Sequence, residues 1–165
     1  MDFTFVILHD GMKMKISITR KNGRSQLFCK RKDGSTTHSN VGPTVPFHDI
    51  AHYVTEKELR LKEGFYGNIS KGYSIEELSD KNVIKTLGDE SWIAEIITRA
   101  LQSLSSGACS IDDFRPMIEQ ELDHLDISFS AIPDKSETEL MLTEYMTLIN
   151  AWKALPEGES LVLEF

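Results

Sequence analysis

Residues 12–19 read Met-Lys-Met-Lys-Ile-Ser-Ile-Thr, an unbroken alternation of apolar and polar side chains. Successive side chains of an extended strand point to opposite faces, so this run can bury Met12, Met14, Ile16 and Ile18 together and leave the other face wet. A helix has no use for such a pattern, because a period of two scatters the apolar residues around its circumference. Residues 3–8 add a second β-rich run, and the dipeptides Asp10-Gly11 and Asn22-Gly23 are tight-hairpin signals. Residues 25–31 return as a further strand, and Asp33-Gly34 ends it. The expectation for residues 1–40 is a three-stranded antiparallel meander with one solvated face.

The period then changes. Residues 33–45 form a polar connection, after which Phe47, Ile50, Ala51, Val54 and Leu61 recur at helical spacing. Thr44 is a suitable N-cap, Pro46 suits a first turn, and Gly64 is placed to stop the helix. Ser74-Ile75-Glu76-Glu77 has the form of a capping box opening a short helix. Further stripes run from Trp92 to Leu104, from Phe114 to Leu125 and from Leu140 to Trp152, with Ser110 and Pro133-Asp134 as start signals. Residues 160–165, Ser-Leu-Val-Leu-Glu-Phe, read as a final strand able to join the sheet edge. The pattern predicts one α+β domain: a meander of three or four antiparallel strands, the C-terminal strand included, packed against four or five helices. Residues 1–40 supply the meander, 41–158 the helical part and 159–165 the last strand.

Composition narrows the function classes. The 40% hydrophobic and 27% charged content is that of a globular domain able to build its own core at 165 residues. No apolar run approaches the roughly 18 residues of a membrane span, and the N-terminus has no leader-like block, so a cytoplasmic location is expected. Two cysteines, Cys29 and Cys109, offer neither a disulfide framework nor metal-ligand spacing. A net charge of −8 argues against nucleic acid as a partner. The charge is uneven: residues 1–40 hold eight Lys/Arg against three Asp, a net +5, which leaves −13 for the remainder. Solvated lysines protecting sheet edges explain this, and a basic surface for an anionic partner is the alternative.

The chemistry concentrates in His48-Asp49-Ile50-Ala51-His52. Imidazoles at i and i+4 share a helical face with β-carbons about 6 Å apart, close enough to hold one cation. Glu56 continues that face at i+8 but lies about 12 Å along the axis from His48, too far to ligate the same ion. The segment resembles the H-E-x-x-H motif of zincin metalloproteases, with Asp49 where they carry the glutamate general base. The exchange shortens the reach of the carboxylate by roughly 1 Å. Glu76-Glu77-Leu78-Ser79-Asp80 resembles the downstream E-x-x-S-D of thermolysin-like gluzincins, and that resemblance implies Glu76 as third ligand to zinc or another divalent ion. It implies a metal-dependent hydrolase, with Asp49 as catalytic base and His48, His52 and Glu76 as ligands.

A structural reading stands beside it. Asp49 favours the positive end of the helix dipole, His52 bonds a neighbouring loop, Glu56 pairs with Arg60 at i+4, and the protein is a non-catalytic module binding a small molecule or another protein. Residues 46–72 are also similar to a segment of a family of small uncharacterised bacterial proteins, running P-H-D-L-x-H-x-x-V-E-x-x-L-G-L-x-x-G-F-x-G. That likeness implies a bacterial source and no particular chemistry. The pair of rings in Gly64-Phe65-Tyr66-Gly67 is expected to form a compact turn.

Overall fold

The computed structural model describes residues 13–165. The strand and turn expected within residues 3–11, together with Met12, lie outside this range. Four strands, β1 (Lys15–Lys21), β2 (Arg24–Lys30), β3 (Thr36–Val41) and β4 (Ser160–Glu164), form one antiparallel sheet in the order β3-β2-β1-β4. The alternating run behaves as its period demands: Met14, Ile16 and Ile18 are buried, as are Leu27 and Cys29 opposite them on β2. Asn22 and Gly23 both take positive φ, 53° and 69°, the twist that lets a two-residue turn join β1 to β2. Ile16 pairs with Leu163, so the C-terminal strand does join the sheet, alongside β1.

One strand departs from expectation. Residues 36–41 lie within the stretch read as a polar connection, yet they form edge strand β3 against β2. Its Thr-Thr-His-Ser-Asn-Val has no apolar alternation because the face it turns inward, Thr37, Ser39 and Val41, is only half-buried. The ladder to β2 holds it, helped by Val41 against the core and the Ile75 N–H donating to Thr37 Oγ1 at 3.2 Å. Asp33-Gly34 therefore turns the chain between two paired strands rather than ending the sheet.

Among the described residues there are six α-helices, four of them long: α1 (Val45–Glu58), α4 (Asp89–Ser105), α5 (Ile111–His124) and α6 (Lys135–Ala154). The short ones are α2 (Phe65–Ser70) and α3 (Lys81–Ile84), with a 3-10 turn at Glu77–Ser79 between them. Helix α1 is the centre of the fold. Every residue from position 49 to 56 is buried, since α4 and α6 pack on it while its Ile50 and Val54 join the core beneath the sheet. The helix ends sooner than Gly64 would imply: Leu59 caps it and Arg60 turns the chain at φ 55°. Gly64 is instead the residue before α2, so Gly64-Phe65-Tyr66-Gly67 opens a helix rather than forming an isolated turn. The start signals at Ser110 and Asp134 cap α5 and α6 through bonds to the Asp113 and Glu137 amides. No helix among the described residues is long and apolar enough to cross a membrane.

Candidate metal centre

The first turns of α1 carry His48 and His52 on the side that meets α4. Their rings stand edge to face with centroids 4.7 Å apart. From α4, the Glu95 carboxylate enters between them, its Oε2 2.9 Å from His52 Nε2 and 3.4 Å from His48 Nε2. One ligand atom from each of His48, His52 and Glu95 lies within 4.8 Å of the others, so the group can hold a metal ion. Donors bonded to a tetrahedral zinc at about 2.0 Å lie about 3.3 Å from one another, close to the two histidine–Glu95 separations of 2.9 and 3.4 Å.

Each imidazole is fixed from behind. His48 Nδ1 donates to Gln102 Oε1 at 2.7 Å, and His52 Nδ1 donates to Glu56 Oε2 at 3.1 Å. With both Nδ1 atoms engaged, both Nε2 atoms face the same carboxylate oxygen. Glu56 is fully buried and has further work: it accepts from the backbone N–H groups of Tyr66 at 3.3 Å and Gly67 at 3.0 Å, at the start of α2. A Cβ at Gly64 would overlap the Glu56 carboxylate, and one at Gly67 would overlap the Lys62 backbone. Gly64 therefore makes the room in which Glu56 orients His52, and Gly67 lets the start of α2 pass close to the Lys62 backbone. Glu56 does not pair with Arg60, as its i+4 spacing suggests, and His52 is held by carboxylates rather than by a loop.

The charges interlock. Burial opposes a charge on His52, but the bonds to Glu56 and Glu95 carry its pKa up to about 9. The bond to Glu95 raises His48 against the effect of burial. Burial alone would raise Glu95, yet its bonds from His48 and His52 hold it well below the ordinary carboxylate range. The other oxygen of Glu95 faces Arg99 Nε at 3.6 Å, and Arg99 also reaches Glu121 at 2.8 Å. The side chains of His48 and Glu95 are 37% and 36% exposed, so solvent reaches the meeting point, whereas His52 at 7% forms its floor.

The structure brings Glu95, not Glu76, to the two histidines. Glu76 is exposed at the head of the 3-10 turn, where the capping box has its ordinary structural cause: Ser74 and Glu77 exchange bonds of 2.7 and 3.0 Å. Asp49 is only 5% exposed; its Oδ2 has no hydrogen-bond partner among the described residues, and burial pushes its pKa up to about 6 against the pull of His52 and His48. The carboxyl is close enough to Cys29 and Tyr66 in the core to raise both of their pKa values, behind the burial that raises them most. Neither Gln102 nor Glu95 was identifiable as a site residue from local pattern. The one local signal at Glu95 is its i+4 relation to Arg99 inside an otherwise apolar stretch.

Two cavities flank the group. One, of about 380 Å³, is lined by His52, Glu95, Phe65, Leu78, Leu87 and Trp92 among others. The other, of about 670 Å³, lies beyond Arg99 and Gln102 and includes Ser103, Ser106 and Lys153. No family model matches the chain, and neither a curated protein nor a solved structure matches it.

Proposed function

We propose that His48, His52 and Glu95 bind a divalent cation, zinc being the ion that two imidazoles and one carboxylate favour, and that the protein is a metal-dependent hydrolase. One observation carries the reading: Gln102 and Glu56 fix both Nδ1 atoms, leaving both Nε2 atoms directed at Glu95. Buried carboxylate–histidine pairs of this kind orient ligands and raise their basicity. Three protein donors at a solvent-reached position leave a fourth for water, and a zinc ion held there would lower the pKa of that water and polarise a carbonyl. The chain's own part is to fix the ligands, shield one side with His52 and Phe65, and admit substrate from the other. Asp49 is the candidate for proton handling that the likeness to H-E-x-x-H supports, and its burial weighs against that role.

A second reading is favoured by the 2.9 Å separation of His52 Nε2 and Glu95 Oε2, which is a charge-assisted hydrogen bond if His52 carries two protons. In that case a histidinium holds α1, α2 and α4 together, and the protein is a non-catalytic binding module. Titration of metal-free protein with zinc, followed by calorimetry and metal analysis after dialysis, separates the two. One tightly held zinc per chain, lost in His52→Ala, supports the first reading; no stoichiometric zinc leaves the second.

A further inference from the structure

The apolar cavity beside the metal group has chemistry of its own. Its floor is His52 and Glu95, two of the three proposed ligands, and its walls are Phe65 from α2, Leu78 from the 3-10 turn, Ile84 and Leu87 around the end of α3, and Trp92 from α4. Asn68, Ser91 and the Trp92 indole N–H add the polar atoms of that wall, and one Asn68 N–H is taken by the Glu63 carbonyl at 2.7 Å. Trp92 is 38% exposed although it belongs to a stripe whose neighbours Ile93, Ile96 and Ile97 are buried. A half-open cleft of about 380 Å³ walled by five large apolar side chains next to charged donors has the make-up of a small-molecule site.

We infer that this cavity takes the apolar group of a small acyl compound whose carbonyl or carboxylate reaches the ion held by His48, His52 and Glu95. The inference rests on the proposed metal centre and adds the substrate class to it. The electrostatics agree at the head of the ligand. A divalent ion would take an oxygen donor directly, and Arg99 stands against the other Glu95 oxygen, so a carbonyl or carboxylate oxygen is favoured there. At the tail the five large side chains make the walls mainly apolar, so a polar substituent set against them would lose its water without replacement. The volume accommodates a single aromatic ring or a medium-length alkyl chain.

The test uses zinc-loaded full-length protein and a series of hydroxamates, which chelate zinc through a constant head: acetohydroxamate, hexanohydroxamate, octanohydroxamate and benzohydroxamate. Affinity is expected to rise by about three- to four-fold for each methylene buried. Leu87→Asp, at a half-buried position next to α3, is expected to retain zinc and acetohydroxamate binding and to flatten the series; Ile84→Arg provides the same readout from a second wall. If zinc and acetohydroxamate bind but longer tails add nothing, the inference is overturned and the metal centre stands. If the gain with tail length is equally large in zinc-free protein, the head of the ligand does not meet the ion and the inference is also overturned. If the protein takes up no zinc, the metal reading fails and the inference goes with it.

Discussion

Glu56 and His52 lie one turn apart on the same buried helix, and the carboxylate of one holds the ring of the other at 3.1 Å while its second oxygen holds the amide of Gly67. This contact makes a single side chain answer for both the orientation of a proposed ligand and the attachment of α2 to α1.

Glu56→Gln should therefore act on both. An amide in that position presents a donor where donors already converge, so one buried bond is lost and another opposed. The expected loss of stability is about 1–3 kcal/mol, read by chemical denaturation of the metal-free protein. Zinc affinity should fall about 10- to 100-fold in a competition titration, the scale on which orienting partners act.

Gly64→Ala tests the space rather than the bond. The φ of Gly64 is −78°, open to any residue, so the only objection to a methyl group is its overlap with the Glu56 carboxylate. The substitution should destabilise by about 1–3 kcal/mol. The double variant Glu56→Ala/Gly64→Ala should be destabilised by less than the sum of its parts, because the overlap vanishes with the side chain. Additive effects would mean that the two residues do not share the space.

Glu95→Gln and Glu76→Gln separate the ligand that the geometry selects from the one that the motif suggests. Zinc affinity should drop at least about a hundred-fold in the first variant and stay within about two-fold of the parent in the second. At zinc concentrations about a hundred times the dissociation constant, the parent should gain about 2.7 kcal/mol of stability that Glu95→Gln does not show.

Asp49→Asn addresses the carboxyl beneath the helix. It removes a charge from a buried oxygen that has no hydrogen-bond partner among the described residues, so the variant should be at least as stable as the parent. Zinc stoichiometry is expected to be unchanged. Any hydrolytic activity of the parent that Asp49→Asn abolishes while retaining zinc would assign Asp49 to proton transfer; activity within a few-fold of the parent would assign it to packing.

The two thiols should differ sharply. Burial, with Asp49 nearby, pushes Cys29 up to about 12, so it holds almost no thiolate at pH 8, whereas Cys109 is partly exposed. A disulfide reagent at pH 8 should label one thiol per native chain and two after denaturation.

The parts of this molecule legible in its sequence are those where one physical cause acts locally. Alternation from Met14 to Ile18 needs a strand, Asn22-Gly23 needs a tight turn, and Ser110 and Asp134 supply the oxygen that a helix start lacks. The helical spacing of His48 and His52 was equally visible. Strand β3 was not, because an edge strand whose inward face is Thr37, Ser39 and Val41 leaves almost no hydrophobic trace. Glu95 was hidden for another reason: it stands 43 residues from His52, and only the packing of α4 on α1 brings them together. Glu76 was suggested by the resemblance to E-x-x-S-D, whereas the local order of that segment comes from the capping bonds between Ser74 and Glu77.

The fit of Gly64 against Glu56 has an evolutionary corollary. A chain that inherits the acid has to inherit the small residue eight positions later, and a chain that loses the acid is released from that constraint. Across any set of descendants the two sites should drift as a couple. A gene retaining both, together with the histidines and a distant glutamate on the facing helix, would be a sound candidate for a shared ancestry that overall resemblance is too faint to reveal.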